Sequence, residues 1–326
     1  MAPELVLAAL MTIGLTLYAL LGGADFGAGV WEFNTALRAT PKEIALINRA
    51  IGPVWEANHV WLIFVIVILF TGFPEAFAVL SRTLAVPLLL AVVGIMFRGV
   101  AFAFRTHASG VVVQERLWSA VFALASTATP FFLGACAWAI PSGRAAPGRA
   151  PLTGWIGPLS VFGAFFSVGL CAYLAAVYLT REAALSGDVG LFRLWRRRAI
   201  ASGAWMGVLA MAGLALVPEG APDLWTGFKA RAWPVVGFSA LAGIASLAGL
   251  AARRPTLAVI AAAGAAGSVV WGWCLGQYPL LVPPSISVAT AKAPDGVLRP
   301  MIGAIAVGSV LVVPSLAWLL YLFKRK

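Results

Sequence analysis

The sequence predicts an all-α polytopic membrane protein, and three observations carry that reading. Of 326 residues, 61% are hydrophobic and 11% charged, where a soluble domain carries about 25% charged residues. Mean hydropathy is +0.94. Apolar runs of roughly the 20 residues needed to cross the hydrocarbon core recur throughout, at about 5–28, 51–73, 77–103, 117–140, 156–180, 199–217, 232–252, 255–276 and 302–323. We read 1–326 as a single transmembrane domain of about nine helices.

Each element has its own justification. Met1-Ala2-Pro3-Glu4 carries an acid and no Lys or Arg, so the first run lacks the basic start of a cleaved signal peptide and is expected to remain as a helix. The second opens in Asn48–Leu62 and continues through Phe70. The seventh and eighth are separated by Arg253-Arg254-Pro255, where Pro ends one pattern and begins the next. Between the others lie Pro- and Gly-rich stretches, the longest from Gln277 to Arg299. Its irregular backbone is unsuited to bare lipid and is expected at the outer surface or against a partner.

Charge sets the orientation. An odd number of spans puts the termini on opposite sides. With the C-terminus inside, 15 of the 23 basic residues fall in inner segments and 6 in outer ones, Arg82 and Arg98 lying within a span. Positive-inside bias therefore predicts an outer N-terminus and a cytoplasmic C-terminus. The net charge of +11 is dispersed in short clusters, so it is topology charge and no nucleic-acid partner is expected. Cys136, Cys171 and Cys274 lie in apolar segments without C-x-x-C spacing, which argues against a disulfide framework, a zinc site or an iron–sulfur cluster. Tryptophans such as Trp31, Trp118 and Trp195 near predicted span ends read as interfacial belts.

The chemistry concentrates in the first three spans. Trp55-Glu56-Ala57-Asn58-His59 places a carboxylate, an amide and an imidazole in the first turns of a lipid-embedded helix, where a charge at the centre costs about 2.5–3.5 kcal/mol. Glu56 lies about 8 Å inside the cytoplasmic boundary by helix rise, and Asp25 and Arg98 fall at similar depth. Trp55, Asn58, His59 and Leu62 share one stripe, while Glu56 belongs to an adjacent one. A buried carboxylate titrates closer to neutrality and suits a proton path. Plainer roles stand beside these. Asp25 could cap its helix or pair with Arg98, Arg98 could snorkel to the inner headgroups, and Glu56 could make a structural hydrogen bond. Glu32 is expected to be solvated. His59 is expected to hydrogen-bond rather than ligate a metal, since His107 is the only other histidine.

Gly23-Ala24-Asp25-Phe26-Gly27-Ala28-Gly29, Asn48–Leu62, Phe73-Pro74, Phe97–Arg105, Gln277-Tyr278-Pro279 and Val282-Pro283-Pro284-Ser285 closely resemble, in order, subunit II of cytochrome bd-type quinol oxidases. The central G-P-x-W-[DE]-x-N-x-V-W-L pattern is long and unusual for a lipid-embedded helix. This resemblance implies a multi-pass subunit of a bacterial inner-membrane oxidase that oxidises quinol and reduces dioxygen to water. It implies a haem-bearing subunit I as partner, with haems b and, as an open alternative, haem d held there and none here. A small accessory subunit and bound lipid or quinone are further expected partners. It also implies a cytoplasmic proton-uptake path through Glu56, with Asp25, Asn58 and His59 along it and Trp55 and Arg98 in support. Departures are Gly22 for an acid, Ala57 for Gly, His59 for Gln or Glu, and Ala103 for an acid. A proton-coupled secondary transporter is the competing reading. It calls for paired broken helices in two halves, whereas these acids cluster in the first three spans.

Overall fold

The structure, a computed structural model, describes residues 2–35, 40–51, 55–107 and 112–324; within these, the side chains of Trp55 and Glu56 lie outside the described set. Among the described residues, eight helices are long and apolar enough to cross a membrane, or nine if one sharply bent pair counts as a single span.

The first span is longer than its apolar run suggests. Helix α1 (Pro3–Leu17), a π-helical turn (Tyr18–Gly22) and α2 (Gly23–Thr35) are continuous, and the membrane-length stretch is Pro3–Phe33. Helix α3 (Pro41–Ile51) is a separate amphipathic element. Thr40 and Glu43 close its first turn reciprocally, Thr40 N–H donating to Glu43 Oε2 at 2.8 Å and Glu43 N–H to Thr40 Oγ1 at 3.4 Å, the arrangement of a capping box. Its buried face is Leu46, Ile47 and Ala50, at the spacing of one helical side.

The second span differs most from expectation. Helix α4 (Trp55–Gly72) ends where Gly72-Phe73-Pro74 interrupts it, and α5 (Pro74–Thr83) turns away by 118° between Asn58–Gly72 and Pro74–Thr83. Pro74 has no N–H to continue the ladder but suits a first helical position. The third span therefore begins at α6 (Ala85–His107) rather than at 77. Helices α7 (Val112–Ala139) and α8 (Pro158–Leu185) follow.

Helix α9 (Val189–Gly220) starts ten residues before its predicted apolar run, because the Asp188 side chain accepts from Leu191 N–H at 3.0 Å and caps it. Arg193, Arg196, Arg197 and Arg198, read from the sequence as a loop, are therefore helical. Likewise 222–232, expected in a loop, forms α10 (Pro222–Gly227) and a second π-helical turn (Phe228–Ala232) leading into α11 (Trp233–Ala251). Helix α12 (Pro255–Gln277) and the long α13 (Asp295–Lys324) complete the bundle.

Between α12 and α13 the chain makes a small antiparallel hairpin, β1 (Leu280–Val282) with β2 (Ile286–Ser287). Val282, Ile286 and Val288 are buried in a cluster with Leu7, Ile68, Phe73 and Leu84, and Ala293 N–H donates to Gly72 O at 2.9 Å. The irregular segment is thus held by this chain's own helix ends.

Candidate functional site

The site begins with small residues. At Gly27 an added Cβ would lie 1.8 Å from Cys171 O, and at Gly29 one would lie 2.3 Å from Ser126 Oγ. Only glycine lets α2 press its backbone against α8 on one side and α7 on the other, the close packing that small residues permit between membrane helices.

That wedge brings Asp25 to Arg98. Arg98 Nη2 lies 2.5 Å from Asp25 Oδ1, and Arg98 Nε donates to Ser126 Oγ at 3.1 Å. The guanidinium sits between the Phe26 and Phe122 rings, 5.0 Å from each centroid, where cation–π attraction adds to the ion pair. Arg98 is 1% exposed and Asp25 4%. The snorkelling expectation for Arg98 is therefore corrected: its fork is fixed in the interior by a carboxylate, a hydroxyl and two ring faces. Pairing describes Asp25, whose Oδ2 has no hydrogen-bond partner among the described residues.

Asn58 is buried and donates through Nδ2 to Leu21 O at 3.3 Å. Leu21 is in the π-helical turn, an irregularity that leaves a carbonyl available and often marks functional positions. His59 packs among the rings of Tyr18, at 6.2 Å, and Phe26, at 6.0 Å. Both polar residues thus face their own first helix. The exposed side of α4 is apolar, with Val60, Ile63, Ile66, Val67 and Phe70. The backbone of residue 56 lies about 3 Å from that of Asn58 along the axis, close to the level of Asp25; the Glu56 and Trp55 side chains lie outside the described residues.

Glu32, expected in water, is 7% exposed. It follows Asp25 by seven residues, two turns along one helical face, because the helix continues beyond the predicted end at 28. Trp195 also departs from the belt reading: it is fully buried, edge-on to Trp31 at 5.9 Å. Arg198 covers both rings and reaches Glu43 Oε1 at 2.7 Å. Burial pushes the Glu43 carboxyl up, but hydrogen bonds from Thr40 and Arg198 outweigh it and hold the group below the usual range. The Leu191 N–H, with help from Lys42, likewise holds Asp188 low.

Sequence reasoning missed Tyr18, Ser126, Phe122 and the Leu21 carbonyl. Ser126 carried a signal, a hydroxyl in the apolar run of α7; the π-helical turn had none.

The family described as cytochrome bd terminal oxidase subunit II matches residues 3–323. The chain belongs to this family. A cytochrome bd ubiquinol oxidase subunit 2 from Bacillus subtilis (strain 168) is 31% identical over 129 residues, 40% of this chain. The matched stretch spans 36% of that relative's length. A chain in the structure of bd oxidase from Geobacillus thermodenitrificans superposes with a TM-score of 0.81 at 24% identity, covering 99% of each chain, and so shares the fold. Family and spans make this a multi-pass bacterial membrane protein.

Among the described residues no three His, Cys, Asp or Glu side chains group as metal ligands. His59, with the Tyr18 and Phe26 rings packed against its imidazole, does not fit an axial haem ligand in this chain.

Proposed function

We propose that this chain is the subunit II that supports a haem-bearing subunit I in a quinol:oxygen oxidoreductase, with haems and quinol chemistry in the partner and its C-terminus in the cytoplasm. On this reading it supplies a cytoplasmic proton-uptake path for the reduction of dioxygen to water. The observation that carries it is the Asp25–Arg98 pair, buried in membrane-spanning helices, hydrogen-bonded to Ser126 of α7 and packed through Phe26 against His59 of α4. Ion pairs at that depth are costly and are retained along ion and proton routes.

Within the path, Arg98 offsets the charge of Asp25, leaving Glu56 as the group that loads and releases protons. Asp25 stands at its level, and Asn58 and His59 relay hydrogen bonds beyond it. Glu32, on the same helical face two turns closer to the helix end, stands nearer the entrance. In the assembled oxidase, Glu56→Gln should lower oxygen-reduction turnover by about tenfold or more, roughly 1.4 kcal/mol of barrier, with haem content unchanged. Glu56→Asp should be much milder. Normal turnover in a fully assembled Glu56→Gln complex would overturn the assignment.

A further inference from the structure

Three buried polar atoms around the first π-helical turn have no hydrogen-bond partner among the described residues: Tyr18 Oη, His59 Nδ1 and Asp25 Oδ2. Tyr18 is 7% exposed and Asp25 4%. A single ring draws them together. Phe26 lies 6.4 Å from the Tyr18 ring and 6.0 Å from His59, while Arg98, which holds Asp25, stands 5.0 Å over its face.

The backbone contributes independently. The extra residue of a π turn shifts helical register, so Tyr18 packs on Phe26 and against His59 of α4, while the same turn presents Leu21 O to Asn58. Burying a hydroxyl or carboxylate oxygen without a partner costs about 1–3 kcal/mol. The ligand that removes this cost is constrained by charge. Arg98 opposes a cation and Asp25 opposes an anion, which leaves a small neutral molecule that both donates and accepts. Buried water, commonly with about three hydrogen bonds to such groups, has that chemistry.

We propose that Tyr18, His59 and Asp25 share a bound-water site that carries the proton route past the Asp25–Arg98 pair to the level of Tyr18, about 10 Å farther along the helix. The proposal rests on the proton-uptake reading. Tyr18 is the positioning residue: its hydroxyl anchors the water without changing charge. In each transfer, water and imidazole release one proton as they accept another, so the site returns to its starting charge.

The test is made in the intact oxidase assembled with this chain. A density map that resolves waters should show one within hydrogen-bonding distance of at least two of the three atoms, and Tyr18→Phe should remove it. Tyr18→Phe should also lower turnover about tenfold and enlarge the solvent deuterium isotope effect. Tyr173→Phe is the control, since Tyr173 donates to Ser246 at 2.6 Å and packs in a different core cluster from Tyr18 and Phe26, and it should leave turnover unchanged. A dry site in the unsubstituted protein overturns the proposal. So does a water lost in Tyr18→Phe without change in turnover, which refutes the route through Tyr18 while the Glu56→Gln result separately judges the uptake path.

Discussion

Asp25, Glu32, Glu43 and Arg98 are the buried charged side chains among the described residues, and all precede residue 108; beyond it the buried polar set is Ser126, Thr129, Ser160, Thr180, Ser246 and Gln277. Hydroxyls return to their own helix in both regions, as Thr12 and Thr83 do before residue 108; the charged groups differ. Thr129 and Thr180 donate to carbonyls four residues back in their own helices, and Ser246 donates to Ala258 O of the next helix. The Asp25 cluster instead joins side chains from α2, α4, α6 and α7. A hydroxyl returning to its own backbone asks nothing of its neighbours, whereas a charge in lipid must find a partner on another helix. The later helices thus resemble a scaffold, and the early ones carry the groups whose burial has to be justified by function.

The sharpest way to break that contrast is to remove one charge at a time. Arg98→Leu leaves the Asp25 carboxylate buried without its cation, and loss of one partner of a buried pair costs about 3–5 kcal/mol. Asp25→Leu/Arg98→Leu together should recover much of this, because no lone charge remains. Thermal stability of the assembled complex, read as a double-mutant cycle, checks it. A loss in the double variant equal to the sum of the two single losses would show that the pair is not coupled.

A smaller effect tests whether the wedge of α2 assembles the site. Gly27→Ala places a methyl against Cys171 O and should cost about 1–3 kcal/mol as an overpacked contact. Gly207→Ala in α9, where an added Cβ meets nothing within 4 Å, should change stability by no more than about 0.5 kcal/mol. Similar losses at both positions would remove the distinction between the tightly packed early helices and the open face of α9.

Much of this was legible in the sequence where free energy is set locally. Apolar runs gave the spans, and the cost of charge in lipid singled out Asp25 and Arg98, which the fold pairs; it also singled out Glu56, whose side chain lies outside the described residues. What escaped depends on non-local geometry. Hydropathy reports only the part of a helix that lipid solvates, so it missed the capped start of α9 at Asp188 and the extension of α2 that buries Glu32. It placed the end of α4 at Phe73-Pro74 but could not tell that α5 then turns away by 118° before the third span begins. The direction of Asn58 and His59 was unreadable for the same reason. Asn58, His59 and Leu62 do share one side of α4, and only packing shows that this side meets the first helix.

The smallest predicted effect lies at the margin between the two regions, where Glu43 of α3 meets Arg198 of α9 at 2.7 Å. The Glu43 carboxyl is held below its ordinary value of 4.5 by contacts that exist only in the folded chain. A depressed folded value means that the stabilisation is fully present above the unfolded value and is lost as pH falls through the folded one. Docking of α3 should therefore be insensitive to pH near neutrality and weaken progressively below about pH 4.5, with Asp188, also held low beside Lys42, contributing in the same direction. Amide hydrogen exchange of residues 43–51, corrected for intrinsic rates, would follow this in the assembled complex. Arg198→Gln should lower protection of α3 at neutral pH and flatten the acid dependence, since the guanidinium that favours the Glu43 carboxylate is gone. An acid transition of the same size in Arg198→Gln would place the pH dependence of α3 elsewhere and leave the Glu43–Arg198 pair without a role in joining the two regions.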